Sequence, residues 1–161
     1  MKLKTWLTAA LLIAPLGVHA APEDRKALFG ETHLHTNLSF DAFIFGNRNG
    51  PDEAYEFAKG KAIQHPAGFE MKMRVPLDFQ AVTDHAMYLG MVPAMFDEST
   101  QVSNHKVASG LRTAKTASER RAAFGAMMPY IGQQVEDDLL DMSIVRSTWA
   151  DIKQAANRHN D

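Results

Sequence analysis

The sequence has 161 residues, with 17 basic and 19 acidic side chains and no cysteine. This slightly acidic balance gives no electrostatic reason to expect a nucleic-acid partner. Because the chain has no cysteine, it has no disulfides, and its stability depends on core packing or on bound metal. The length is enough for the core of one ordinary domain and little more.

The N-terminus has the three-part layout of a secretory signal. Lys2 and Lys4 give a positive start, an apolar run covers residues 6–18, and a small residue ends the segment at Ala20. The apolar run is too short to cross a bilayer comfortably, so a retained membrane anchor is the weaker alternative. We interpret residues 1–20 as a signal peptide and expect a periplasmic or secreted protein that has no membrane contact after cleavage.

Two strands are predicted in the mature chain. Residues 26–35 run through apolar positions into a pair of histidines, and residues 77–82 are a compact apolar run. Both patterns are typical of strands. Residues 36–49 are rich in Asn, Ser and Gly and indicate a structured loop without a regular element, whereas the prolines of residues 63–76 indicate an irregular connection or a short hairpin.

Helix signals surround and follow these strands. Pro51 and the two acids after it predict a helix that Gly60 ends. Thr116 and Glu119 have the spacing of a capping box, and Ser147 is predicted to cap the last helix. Methionines at helical spacing in the second half are interpreted as core and not as a soft-metal or partner-binding surface. The order of elements predicts an α/β fold.

Two histidines at the end of the first strand are candidate metal ligands. Alternate residues of a strand point to the same face, so His33 and His35 can reach one ion while Leu34 packs behind them. Neutral imidazole binds zinc and also suits manganese and iron. The pair is a weak motif by itself, but Asp41 adds a hard carboxylate six residues later.

The second strand ends in Thr83-Asp84-His85. The C-terminal ends of strands are where α/β folds place their active sites, so we expect His85 to face the same site as the first histidine pair. Asp84 is interpreted as a hydrogen-bond partner that fixes the tautomer of an imidazole. The alternative is that Asp84 caps a helix in the following segment.

Three segments together resemble a known superfamily: GETHLHT (residues 30–36), SFDAF (39–43) and AVTDH (81–85). They are similar to the first two motifs of the PHP (polymerase and histidinol phosphatase) superfamily. More narrowly, they resemble its exported branch known as domain of unknown function 3604. The resemblance is concentrated between about Leu28 and Gly90 and is more diffuse afterwards.

The resemblance implies the N-terminal part of a distorted (β/α)7 barrel, with up to three divalent metals at its C-terminal mouth. Members hydrolyse phosphoesters, so a small-molecule or phosphoester substrate and zinc, manganese or iron are expected. Matched residue by residue, His33, His35 and Asp41 take the ligand positions of the first motif. His85 takes the ligand position of the second motif, and we assign no ligand role to the other histidines.

The superfamily pattern also calls for a glutamate, further histidines and a closing Asp-x-His, which this sequence lacks. We therefore interpret residues 21–161 as the truncated N-terminal portion of one PHP-like domain and expect little activity from it alone. Two alternatives remain open. One is an amidohydrolase-like enzyme that attacks a carbonyl carbon, and the other is a non-catalytic periplasmic metal-binding module.

The signal-peptide interpretation predicts that export ends with cleavage after Ala20, which leaves 141 residues. Intact-mass spectrometry of the protein expressed in a bacterial host should therefore give a mature chain that starts at Ala21. Recovery of a periplasmic chain that retains Met1 would contradict the interpretation.

Overall fold

A computed structural model describes residues 25–131 and 139–160, and the predicted signal peptide lies outside this range. The strands are β1 (Gly30–Leu34), β2 (Ile63–Gln64), β3 (Glu70–Met71) and β4 (Phe79–Val82). The helices are α1 (Phe40–Ile44), α2 (Pro51–Ala58), α3 (Met91–Ala94), α4 (Ala108–Thr113), α5 (Ala117–Ile131) and α6 (Met142–His159), with a 3-10 helix at Gln101–Asn104. Within these residues, no helix is both long and apolar enough to span a bilayer.

Strands β1 and β4 pair in parallel, with Gly30 opposite Phe79 and Leu34 opposite Val82. A side chain at Gly30 would overlap the carbonyl oxygen of Phe79, so glycine allows the two backbones to approach. Both strands are shorter than the sequence predicts. Strand β4 begins only at Phe79, so the residues before Gly30 have no strand beside them. The amide of Asp78 still donates to the Phe29 carbonyl at 2.8 Å.

The α/β prediction is confirmed at the level of fold class. Strands β2 and β3 form an antiparallel hairpin, which is one of the two structures predicted for residues 63–76. The described residues therefore contain two separate two-stranded sheets, and these do not form a closed barrel. The seven-stranded barrel stays an expectation from the resemblance.

The predicted starts of α2 and α5 are confirmed by their hydrogen bonds. At α2, the Gly50 amide donates to Oε2 of Glu53 at 2.8 Å. At α5, the Thr116 amide donates to Oε2 of Glu119 at 2.8 Å, and the Glu119 amide donates back to Oγ1 of Thr116 at 3.3 Å. Each pair satisfies amide groups that have no partner inside the helix.

Two other local predictions are wrong. The segment 36–49 contains the helix α1, whose apolar face is buried in the core, so tertiary packing outweighs the loop-like composition. Helix α6 begins before Ser147, because the Asp141 side chain accepts the Ser143 amide at 2.8 Å and caps the helix there. The Ser147 hydroxyl instead donates to the Ile144 carbonyl within the helix.

The core lies among the helices and not on the sheets. Met91, Met95 and Met127 are fully buried in it, which confirms the core interpretation for these three methionines. Three others are 46 % exposed: Met87, Met128 and Met142. The side chains of β1, by contrast, are mostly exposed, so backbone hydrogen bonds contribute more than burial to holding β1 on β4.

Helices α2 and α6 are joined by an ionic cluster. The Arg158 guanidinium donates to both carboxylate oxygens of Asp52, at 3.1 and 2.7 Å. His159 has one ring nitrogen 3.0 Å from Asp52 and the other 3.6 Å from Glu56, and its ring stacks on Tyr55. The hydrogen bond from Arg158 is the main cause that lowers the pKa of Asp52 below its ordinary value.

This lowered pKa predicts a pH-dependent contribution to stability. The charged Asp52 carboxylate stabilises the folded chain above its unfolded pKa, and the contribution disappears as pH falls through the lower folded pKa. Asp52→Asn should therefore reduce the melting temperature at pH 7 by about 1–4 °C, the scale of an exposed ion pair. The difference should shrink as pH falls below the ordinary aspartate pKa of about 3.9, and it should vanish below the lowered pKa of the folded chain.

Thermal unfolding followed by circular dichroism at several pH values is the measurement. Glu98→Gln is the matched control, because it removes one negative charge from an exposed side chain in a loop. A loss of stability in Asp52→Asn that is the same at pH 7 and at pH 3 would argue against the ionic explanation.

Candidate metal centre

The ends of β1 and β4 are joined at Leu34 and Thr83. The Thr83 amide donates to the Leu34 carbonyl at 2.8 Å, and the Leu34 amide donates to Oγ1 of Thr83 at 2.9 Å. Because the strands are parallel, His35 and His85 follow from the same edge of the sheet. The register therefore brings together two histidines that are 50 residues apart in the sequence.

Three potential ligand atoms meet at this edge. Nδ1 of His35 lies 2.9 Å from Oδ2 of Asp41, and Nε2 of His85 lies 3.4 Å from the same oxygen. The three residues each offer a ligand atom that lies within 4.8 Å of the ligand atoms of the other two. The two imidazoles meet edge to face at 4.7 Å, and Phe40 stacks on the His85 ring at 4.8 Å.

Asp41 is oriented by its own helix and by Ser39. Its Oδ1 accepts the Ser39 hydroxyl at 2.6 Å and the Ala42 amide at 2.7 Å, which leaves Oδ2 directed at the imidazoles. Burial opposes ionisation of Asp41, but the hydrogen bonds from Ser39 and His35 outweigh it and lower the pKa of this carboxyl. Asp41 is therefore held as a carboxylate, the form that binds metal.

Ser39 links the first motif to the second. It is fully buried, and its hydroxyl oxygen accepts the backbone amide of His85 at 3.1 Å while it donates to Asp41. Ser39 precedes α1 in the N-cap position, yet its side chain does not cap the helix. Ser39 belongs to the SFDAF motif, but the sequence pattern alone did not predict a role for it. The Ser-x-Asp spacing at a helix start was the available signal.

Asp84 was predicted to hydrogen-bond an imidazole, but its contacts are with another residue. Its two carboxylate oxygens accept the amide and the hydroxyl of Thr36, at 2.5 and 2.8 Å. Asp84 therefore fastens the loop after β1 to the loop after β4, and its described hydrogen bonds are to Thr36 and not to an imidazole. Burial raises the pKa of Asp84, although the hydrogen bonds from Thr36 oppose that shift.

His33 lies beside the cluster but is not one of its three members. Its ring is 5.1 Å from the His35 ring, and its side chain is exposed to solvent. The sequence predicted that four residues converge, and three of them do so in the described structure. The strand ends at Leu34, so the alternation that was expected to align both histidines does not extend to His35.

The other described histidines lie in different environments. His65 stacks on Phe69, His105 contacts the Tyr130 ring, and His159 belongs to the α2–α6 ionic cluster. Among the described residues, His35, Asp41 and His85 form the single group of three or more ligand-type side chains whose ligand atoms all lie within 4.8 Å of one another.

The donor geometry fits a divalent ion. Bonds of about 2.0–2.2 Å from zinc to nitrogen and oxygen place tetrahedral donors about 3.3–3.6 Å apart. The separations from Asp41 Oδ2 to His35 and His85, 2.9 and 3.4 Å, are close to that spacing. Two imidazoles and one carboxylate also form the donor set of many zinc and iron sites that keep a position open.

Comparison with known proteins shows that the chain matches one family. Residues 22–161 match the family described as Protein of unknown function (DUF3604). No curated protein and no solved structure matches the chain significantly. The match covers both motifs and all three members of the cluster.

The hydrogen bonds of Ser39 generate a prediction about metal affinity. Ser39→Ala removes the donor that turns Asp41 toward the imidazoles, and loss of such an orienting partner typically weakens metal binding about 10–100-fold. Isothermal titration with Zn²⁺ should show this loss. Ser109→Ala, a substitution at an exposed helical serine, is the matched control and should leave the affinity unchanged.

Circular dichroism should confirm that Ser39→Ala remains folded. Zn²⁺ affinity equal to that of the unmodified chain in folded Ser39→Ala would show that Asp41 does not need this hydrogen bond. In the same titration, His33→Ala should have a smaller effect than His85→Ala, because His33 lies outside the three-residue cluster.

Proposed function

We propose that this chain, which belongs to the DUF3604 family of proteins of unknown function, carries the metal site of a metal-dependent phosphoester hydrolase. We further propose that the site is of the PHP type and acts outside the cytoplasm. The observation that carries the proposal is the convergence of His35, Asp41 and His85 from two strand ends and one helix. The signal-like residues 1–20 support the location.

The three donors suit a catalytic ion better than a purely structural one. Structural zinc sites are closed by four protein ligands, whereas catalytic sites have three and keep one position open for water or substrate. A bound divalent ion supplies a Lewis acid that acidifies water and offsets charge on a phosphoryl group. The single carboxylate of Asp41 leaves such a site with net positive charge, which favours an anionic substrate.

The chain's own residues hold this geometry before any ligand arrives. Ser39 fixes one oxygen of Asp41, and the Ser39 contact with the His85 amide fixes the start of the second loop. The Thr36–Asp84 hydrogen bonds hold the two loops together. Preorganised ligands of this kind reduce the rearrangement needed when substrate binds.

The motif that ends β4 supports phosphoester over carbonyl chemistry. AVTDH at residues 81–85 is similar to the second PHP motif, whereas an amidohydrolase-like site shares only the early His-x-His pair. The non-catalytic alternative requires the same three ligands but predicts no affinity for substrate analogues. Binding of an inert phosphoryl compound therefore separates that alternative from the proposed function.

Methylphosphonate is a suitable probe, because it carries the phosphoryl oxygens but cannot be hydrolysed. We expect it to bind the zinc-loaded chain and to bind neither the metal-free chain nor Asp41→Asn. Asp151→Asn is the control for loss of one carboxylate, since Asp151 is exposed on α6 and remote in sequence from the site. Calorimetry that detects zinc binding without any phosphonate binding would favour the non-catalytic module.

The number of donors predicts weak catalysis by residues 21–161. Three donors hold one ion, and a cluster of two or three ions needs further ligands and a bridging water. With zinc or manganese, we expect little or no turnover of p-nitrophenyl phosphate, and none of p-nitrophenyl acetate above background. Clear phosphatase turnover that is lost on His85→Ala would show that the present donors suffice. Preferred turnover of the acetate would favour the carbonyl alternative.

A further inference from the structure

A cavity of about 520 Å³ opens next to the metal centre. His35 and Thr36 belong to its wall, and both also belong to the hydrogen-bonded network around Asp41 and Asp84. A volume of 300–1,000 Å³ is typical of small-molecule sites. Even if each of the five heavy atoms of a phosphate took the roughly 30 Å³ of a water molecule, the group would fill at most about 150 Å³. Most of this cavity is therefore available to another part of a ligand.

The wall of the cavity is mainly apolar. Side chains from four separate segments contribute to it, namely Phe45, Phe57, Ile63 and Met71. Among the described residues, no aspartate or glutamate lines the cavity. Such a surface binds an apolar group through burial, and its aromatic rings favour contact with another ring.

Arg120 contributes a positive charge to this wall. Arg120 extends from α5 to the turn after α1, where its Nη1 lies 3.4 Å from the Phe45 carbonyl oxygen. A Cβ at Gly46 would lie 2.6 Å from the same nitrogen, so the glycine makes room for the guanidinium. Among the described lining residues, Arg120 is the one with a permanent positive charge, which makes the cavity favourable for an anionic ligand.

We propose that this cavity binds the organic part of the substrate and that the preferred substrates are phosphoesters of ring-sized apolar alcohols. The proposal rests on the proposed function and adds the substrate class. In hydrolysis, a P–O bond forms to the oxygen of water and the P–O bond to the alcohol breaks. The alcohol takes up the proton that the water loses, and its ring remains against Phe45 and Phe57 until release.

The test compares two inert probes on the whole chain, 4-fluorophenylphosphonate and methylphosphonate, which differ by the ring. Ala67→Trp places a large side chain in the cavity from the exposed turn between β2 and β3, so the fold should tolerate it. Ala126→Trp is the matched control, because Ala126 is exposed on α5 and does not line the cavity. Zinc affinity is measured for every variant by calorimetry, and ¹⁹F resonance shifts report ring binding with and without zinc.

The zinc-loaded chain should bind the fluorophenyl probe at least about tenfold more tightly than methylphosphonate, which corresponds to about 1.4 kcal/mol. Ala67→Trp should abolish this preference and leave zinc and methylphosphonate affinity unchanged, while Ala126→Trp should retain it. Arg120→Gln should weaken both probes. Equal affinity for the two probes, or a preference that survives Ala67→Trp, would overturn the proposal and leave the metal centre standing.

The two proposals can fail separately. If the chain takes up no zinc but still binds the fluorophenyl probe, and Ala67→Trp blocks that binding, the hydrolase proposal fails and the cavity stands as a site for aromatic anions. If zinc and methylphosphonate bind as expected but the ring adds nothing, the assignment of the cavity fails and the proposed function stands.

Discussion

The parallel pairing of β1 with β4 is the contact on which the candidate metal centre depends. It places the residues after Leu34 and after Thr83 at one edge, and the hydrogen bonds between these two residues prevent a change of register there. A slip of one residue would turn His85 to the opposite face. The sheet has only two strands with largely exposed side chains, so the Thr36–Asp84 contact adds a connection that burial does not provide.

Two buried hydroxyl groups organise the carboxylates of the site. Ser39 and Thr36 are almost completely buried, and each binds one aspartate. The pKa values of the two aspartates shift in opposite directions. Hydrogen bonds lower the pKa of Asp41, whereas burial raises the pKa of Asp84. Environments that separate the pKa values of neighbouring carboxyl groups are common at functional sites. Asp41 is the carboxyl suited to hold a metal, and Asp84 is the one suited to hold the loops.

Packing of the helical core positions the residues of the site. Helix α1 carries Asp41 and buries Phe40 and Phe43 in the core. Packing of these two rings therefore fixes the position of the helix and of the Asp41 carboxylate. Phe40 contacts both the His85 ring and Phe124 of α5, which connects the second motif to the same core. Helix α5 in turn supplies Arg120 to the adjoining cavity. The same core packing thus positions the Asp41 carboxylate, the His85 imidazole and the Arg120 guanidinium.

Local sequence patterns were sufficient to identify most of the site and several element ends. The strand-end histidines and Asp41 were recognised from spacing. The helix start at Pro51 and the capping box of Thr116 and Glu119 were recognised from residue type. Such signals are readable because the groups concerned lie within a few residues of each other or at the end of an apolar run. The α/β class follows from the order of these elements.

The tertiary structure alone decided which side chains face one another. His33 lies outside the three-residue cluster, and Asp84 accepts hydrogen bonds from Thr36. Asp52 pairs with Arg158, which is 106 residues away in the sequence. The tertiary structure also made α1 a helix by burying its apolar face. The physical reason is that the sequence pattern records local periodicity and charge, whereas register, side-chain direction and burial depend on partners that are distant in the chain.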